Sequence, residues 1–147
     1  MLSGPIASLH RRNDRSGLIF CLALLLTFLG SACQQADTPS NFAQLWRNQT
    51  TEIQVRGKGE VTRLLPDDTK GSQHQRFIIH VRDGTSLLIV HNIDIAPRIE
   101  NLAVSDPVEF YGEYIWNPKG GLVHWTHKDP QARHPHGWII HDEKKYW

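Results

Sequence analysis

The chain has 147 residues, a formal net charge of +1 at pH 7, nine histidines and two cysteines. This length fits one small domain. The nearly balanced charge contains no basic stripe of the kind that nucleic-acid-binding proteins carry, so the composition disfavours a nucleic-acid partner.

An uncharged apolar run, Leu18 to Leu29, follows an arginine cluster and precedes small residues. This order predicts an export signal over residues 1–32 that is cleaved before Cys33. The run is shorter than the roughly 20 residues that a membrane-spanning helix needs. We therefore expect an exported protein of the cell envelope or periplasm.

The four residues that end in Cys33 are similar to a bacterial lipobox, in which the cysteine is lipidated and becomes the first mature residue. Simple secretion would use the same cleavage site and leave Cys33 unmodified, so both alternatives stay open. Removing the signal also removes Cys21, and the one remaining cysteine cannot form an internal disulfide. A lone N-terminal cysteine favours lipidation, which predicts an outer-membrane lipoprotein bound to the membrane through its lipid.

The first residues of the mature chain predict a tether and a short helix over residues 33–50. The tether is polar and contains Pro39. Phe42, Leu45 and Trp46 follow it at helical spacing. We expect the folded domain, together with a C-terminal tail, to occupy residues 51–147.

From residue 53 onward, apolar and polar residues alternate, which is typical of β-strands. The predicted strands are residues 53–62, 76–82, 86–91, 108–116 and 122–127. Asp83-Gly84 predicts a hairpin turn, because both positions favour positive φ. Residues 93–102 break the alternation and contain Pro97, and here we expect a short helix or a fixed loop.

Three strands, a helical connection and two further strands predict an all-β fold, a small five-stranded OB-like barrel. In this interpretation the short helix lies between strands 3 and 4, and a histidine-rich C-terminal tail packs on the barrel. An open sandwich or an SH3-like barrel is the alternative, because alternation alone does not separate these architectures.

Several motifs resemble those of one bacterial family of short proteins of unknown function. They are HQRF at 74–77, HNIDIAPRI at 91–99, GEY at 112–114, WNPKGG at 116–121 and HWTHKDP at 124–130. The resemblance covers about residues 56–141. It implies an OB-like fold and brings no activity, ligand or catalytic residue.

The C-terminal part of the chain is rich in histidine, and imidazole and carboxylate groups are good ligands for zinc and other divalent ions. The candidate metal ligands are His124, His127, Asp129 and His134. His124 and His127 can meet only if the strand ends or bulges between them, because side chains alternate between faces. The alternative is that these histidines bond backbone carbonyls in a wrapped tail.

A second polar cluster ends the third predicted strand. His91, Asn92, Asp94 and Arg98 supply donors, acceptors and both charges where OB folds bind ligands, and Trp125 offers a stacking face. These five residues are the candidate ligand-binding residues. The structural alternative is that Asn92 and Asp94 cap a helix and that Arg98 pairs with Asp94.

Together these features predict an envelope-anchored, non-enzymatic binding module for a small polar or anionic ligand, a glycan or an envelope protein. The alternative is a metal-dependent hydrolase of phosphoester-type bonds that uses the histidine and aspartate cluster. A structural factor without a pocket is a third interpretation. The one cofactor that the sequence suggests is a divalent metal such as zinc, and no cofactor is certain.

Overall fold

The computed structural model describes residues 39–147. The predicted export signal over residues 1–32, the lipidation site Cys33 and most of the predicted tether lie outside the described residues. Within residues 39–147, no helix is long and apolar enough to cross a membrane.

The described residues form one short helix and seven strands, so the predicted all-β class is confirmed. The elements are α1 (Phe42–Arg47), β1 (Ile53–Asp68), β2 (His74–Val81), β3 (Ser86–Asn92), β4 (Pro107–Ile115), β5 (Leu122–His124), β6 (Trp138–His141) and β7 (Lys144–Tyr146). The first strand is longer than predicted, and the fifth ends three residues earlier.

Five of the strands form a closed ring of backbone pairings. β1 pairs with β2, β2 with β3, β3 with β5, β5 with β4, and β4 pairs again with β1. The β3–β5 pair is parallel and the other four pairs are antiparallel. Because every member of the ring has two neighbours, the ring leaves few unpaired strand edges.

β1 pairs with two different strands of the ring because it is long and irregular. Residues 53–60 pair with β4, and residues 59–68 pair with β2. The register shifts between Val61 and Arg63, which marks a bulge. A bulge bends a strand and increases its twist, and this lets one strand serve both neighbours.

The hydrophobic core fills the inside of this ring. Its members alternate along the strands and include Val55, Val61, Phe77, Ile79, Leu87, Ile89, Val108, Phe110, Tyr114, Val123 and Ile139. Burial of each such side chain contributes about 1.5–3 kcal/mol, so the core is the main source of stability.

Helix α1 covers one end of the core. Asn41 begins it by accepting the backbone N–H of Gln44, which satisfies one free donor of the first turn. The ring of Phe42 lies 5.7 Å from that of Phe110. A Cβ at Gly57 would lie 2.4 Å from the Phe110 ring, so the absent side chain at Gly57 lets these aromatic rings pack on the strand.

The helix predicted between strands 3 and 4 does not form, and residues 93–106 are a series of turns. The side chain of Asn92 accepts the N–H of Asp94, which favours a turn over continued helix. Asp94 accepts the N–H of Gln73 from another segment. Pro97 has no N–H to donate, so it could not support a second helical turn.

The C-terminal tail is more regular than predicted, because β6 and β7 form a hairpin. β6 pairs with β4, and β7 pairs with β6, so the sheet extends beyond the ring. His141 on β6 also lies 2.8 Å from Asp106 in the turn before β4. The hairpin therefore belongs to the folded domain.

Candidate functional site

A cavity of about 280 Å³ lies where β3, the end of β5 and the loop before β6 meet. Its lining is His74, Val90, Asn92, Ile95, His124, Trp125, His127, Arg133 and His134. We call it the histidine pocket. Four imidazoles and one guanidinium line it, and none of its described lining residues is acidic.

The chain brings His124 and His127 to the same pocket by ending β5 between them. Trp125 has a φ of 51°, a left-handed conformation that breaks the strand. The backbone N–H of Gly137 then bonds the carbonyl of His127. A Cβ at Gly137 would lie 1.8 Å from the carbonyl oxygen of Trp125, so glycine is needed for this close approach.

Trp125 lies between two imidazole rings. The ring of His124 is 4.8 Å from Trp125 and that of His134 is 4.5 Å away, both stacked. His127 meets His134 edge to face at 5.0 Å. This aromatic stack forms one wall of the pocket.

Asp129 organises the loop that carries Arg133 and His134. Its side chain is 1 % exposed, and it accepts the backbone N–H groups of Gln131, Arg133 and His134. Burial alone would raise the pKa of Asp129, but these donors lower the pKa to about 2. The carboxylate is therefore ionised and engaged by the backbone, and Asp129 does not line the pocket.

Two of the pocket histidines have a defined tautomer. Nδ1 of His127 lies 2.7 Å from the carbonyl oxygen of Lys128, and Nδ1 of His134 lies 2.8 Å from that of Pro135. A carbonyl only accepts, so each Nδ1 carries a hydrogen, and in a neutral ring this leaves a lone pair on Nε2. Burial lowers the pKa of His127 below its usual 6.5, so this ring is neutral at pH 7.

His91, one of the predicted ligand-binding residues, is buried behind the pocket with 0 % exposure. Its Nε2–H donates to the carbonyl of Pro97 at 3.1 Å, and its Nδ1 accepts the hydroxyl of Thr126 at 2.9 Å. Burial lowers the pKa of His91 to about 4. His91 therefore joins β3 to the following turns and to the end of β5.

The other residues of the predicted polar cluster separate. Asn92 reaches the histidine pocket. Asp94 is exposed and bonds Gln73. Arg98 is also exposed and pairs with Asp67 through both carboxylate oxygens, so the expected Asp94–Arg98 pair does not form. This hydrogen-bonded pairing with Arg98 lowers the pKa of Asp67.

The structure thus brings together five of the predicted site residues, namely Asn92, His124, Trp125, His127 and His134. It adds four residues that the sequence reasoning did not place there, the apolar Val90 and Ile95 and the polar His74 and Arg133. His74 lies opposite Asn92 in the β2–β3 register. Pairing these two strands in the correct register would therefore have predicted that His74 lies beside Asn92. No sequence pattern predicts the position of Arg133, because that position depends on the conformation of the loop around Asp129.

Metal ligation was the second prediction for this region. Three of its four candidate ligands, His124, His127 and His134, line the pocket. Among residues 39–147, no group of three or more histidine, cysteine, aspartate or glutamate side chains is arranged to hold a metal ion. The carboxylate of Asp129 is held by three backbone donors instead.

Residues 22–147 match the family described as protein of unknown function (DUF3465). The chain belongs to this family. No curated protein matches it. The match covers the ring and the histidine pocket, and it confirms membership of a family of unknown function. The individual motifs and the bacterial origin stay predictions.

Proposed function

We propose that this chain is an exported, envelope-anchored OB-like binding module whose histidine pocket binds a small anion. The order of the five ring strands supports the OB-like assignment, because three consecutive strands are followed by two that close the ring. The export pattern and the cysteine of residues 1–33 support the location.

The observation that carries the proposal is the lining of the pocket. The Nε of Arg133 lies 3.5 Å from the buried carboxylate of Asp129, but the side chain is 69 % exposed, so its terminal guanidinium N–H groups can reach a ligand. The side-chain carbonyl of Asn92 is used by Asp94, which leaves its amide N–H groups for a ligand. The described lining itself contains no carboxylate, and the carboxylates behind it, Glu113 and Asp129, contact His124 and Arg133, so an anion finds donors in one cavity.

The tautomer of His127 refines the class of ligand. Its Nε2 is an acceptor while the ring is neutral, so it favours a ligand that brings its own hydroxyl donor. A phosphate monoanion or a hydroxycarboxylate has both an anionic oxygen for Arg133 and an O–H for an imidazole. We therefore propose a small hydroxylated anion, and we regard a glycan or a protein as the alternative ligands of the module.

Calorimetry with inorganic phosphate and with glycolate tests this function. We expect Arg133→Gln to weaken binding about 10- to 100-fold, because a hydrogen bond to a charged group contributes about 1.5–3 kcal/mol. Arg82→Gln, at an exposed arginine outside the pocket, is the matched control and should bind as the parent does. Equal melting temperatures of the two variants would show that both are folded.

The pH dependence of anion binding is a second test of this function. The neutral ring of His127 accepts the ligand's O–H, whereas the protonated ring offers an N–H and a positive charge to its anionic oxygen. A bound anion therefore raises the pKa of His127, which burial holds below 6.5 in the free protein, and binding should strengthen as the pH falls below 6.5. If neither anion binds at mildly acidic pH, or if Arg133→Gln and Arg82→Gln bind equally, the proposal is wrong.

The alternative function, a metal-dependent hydrolase, draws support from one observation. Metal-binding histidines usually donate their second ring nitrogen to a carbonyl or carboxylate, and His127 and His134 do so. A metal would compete with protons, so its affinity should fall as the pH falls, opposite to an anion. Stoichiometric zinc in untagged protein, lost in His127→Ala, would favour the hydrolase over the anion-binding module.

A further inference from the structure

The outer face of β4, β6 and β7 carries aromatic and cationic side chains in one group. Tyr111 lies opposite Trp138 in the β4–β6 register, and their rings stack with centroids 6.2 Å apart. Directly opposite residues of paired strands share a face. The aromatic–cation face consists of Arg56, Tyr111, Lys128, Trp138, Lys145 and Trp147.

Two lysines of this face lie over indole rings. The Nζ of Lys145 is 4.1 Å from the ring centroid of Trp147 and 5.1 Å from that of Trp138. The Nζ of Lys128 is 3.4 Å from the centroid of Trp147. Such contacts hold an ammonium group against an aromatic ring. Both lysines are exposed, so their N–H groups can also contact a ligand.

The face keeps an excess of positive charge. Within residues 39–147, neither Lys128 nor Lys145 forms a salt bridge. The nearby carboxylate of Glu109 is bonded by Lys58 at 3.2 Å. Trp147 remains 41 % exposed although it is a large apolar side chain. A partner of this face must therefore offer both an apolar contact for the indole ring and negative charge for the two ammonium groups.

We propose that the aromatic–cation face docks on the anionic surface of a lipid bilayer. Tryptophan and tyrosine are favoured at the level of the lipid headgroups, where one side of the ring is apolar and the other is wet. Lysine side chains extend towards lipid phosphates, and each contributes about fivefold to binding at an anionic surface. The pocket is not needed for this contact.

The number of residues between Cys33 and Ser40 limits how far this face can lie from the proposed anchor. Ser40 bonds the backbone of Arg56 in both directions, at 2.9 Å and 3.3 Å, so the chain enters the domain beside this face. Cys33 precedes Ser40 by seven residues, and seven extended residues span at most about 25 Å. This step rests on the anchoring that we propose for Cys33.

Tryptophan quenching tests the docking. The full chain is reconstituted in vesicles of phosphatidylcholine alone, or of phosphatidylcholine with phosphatidylglycerol, with lipids brominated near the headgroup. We expect quenching in the anionic vesicles and loss of most of it in Trp147→Phe. High salt should reverse it, because exposed charges are screened.

The charge requirement is tested by a matched pair of double variants. Lys128→Gln with Lys145→Gln should lower the ratio of docked to undocked protein about fivefold per lysine. Lys70→Gln with Lys119→Gln removes the same charge from exposed lysines elsewhere and should leave quenching unchanged. Comparable melting temperatures of both variants confirm that each is folded.

Three results would overturn the docking proposal. These are equal quenching in neutral and anionic vesicles, equal loss in the two double variants, and protection of Trp147 by a soluble anionic polysaccharide without quenching by lipid. The last result would assign the face to a glycan. Phosphate binding by the pocket is measured separately, so failure of one proposal leaves the other intact.

Discussion

Thr126 and His91 hold the back wall of the histidine pocket, and both side chains are fully buried. One ring nitrogen of His91 donates to Pro97 and the other accepts from Thr126. Only the neutral imidazole has one donor and one acceptor. Protonation of His91 would turn Nδ1 into a donor, so the hydroxyl of Thr126 would have to rotate and accept, and a buried charge would remain.

We predict that the protein loses stability in mild acid. The pKa of His91 is about 4 in the folded protein, against an ordinary value of 6.5. Below pH 6.5 the unfolded chain binds a proton that the folded chain does not, so the free energy of unfolding falls by up to about 3 kcal/mol as the pH approaches 4. Urea unfolding between pH 7.5 and pH 4.5 measures this loss.

Two variants separate His91 from the other histidines. His91→Gln keeps one donor and one acceptor but does not titrate, so it should lose a large part of the pH dependence. His80→Gln, at an exposed position on β2, should keep it. Because burial also lowers the pKa of His127, a smaller dependence remains in His91→Gln. Identical profiles for the two variants would contradict the role of His91.

At the scale of elements, β6 joins the C-terminal hairpin to the ring. Ile139 lies opposite Phe110 of β4 and is fully buried in the core, whereas Ile140 points to the outer face and is only half-buried. The hairpin therefore contributes a core side chain, although the sequence predicted an irregular tail.

We predict that Ile139→Ala lowers the free energy of unfolding by about 2–5 kcal/mol, because it removes buried methyl groups and leaves a cavity. Ile140→Ala changes the same residue type on the opposite face and should cost less than about 1 kcal/mol. Denaturant unfolding of both variants measures the difference. Similar costs would mean that the hairpin packs loosely on the ring.

In the loop before β6, Arg133 and His134 line the pocket, whereas the carboxylate of Asp129 is buried. Asp129 bonds three backbone N–H groups of its own loop, which turns Arg133 and His134 towards the pocket. Sequence spacing grouped Asp129 with the histidines as a ligand. Spacing does not show whether a carboxylate points to a cavity or to its own backbone.

At the scale of the whole molecule, the proposals combine a membrane anchor, a ring of strands and a pocket. We predict that Cys33→Ser abolishes palmitate labelling and moves the protein from the membrane fraction to the soluble fraction. Simple secretion predicts no labelling in the parent and no change in the variant. Cell fractionation with metabolic palmitate labelling distinguishes the two alternatives.

Much of the fold could be predicted, because alternation of apolar and polar residues is a local property. The strands around Phe77 and Phe110 followed from it, and so did the hairpin turn at Gly84. The helix between strands 3 and 4 was wrong, because side-chain bonds of Asn92 and Asp94 favoured turns. The first strand was predicted too short, because its bulge interrupts the alternation that marks a strand.

The sequence by itself determined the all-β class, the strand that brings Asn92 to its site, and the abundance of imidazoles near the C-terminus. Only the tertiary structure decided which of these side chains meet. His74, Asn92 and His134 come from three segments that the β2–β3 register and the turn at Trp125 bring together. Alternation specifies the face of a strand, whereas a pocket depends on which faces and loop ends become neighbours across the closed ring.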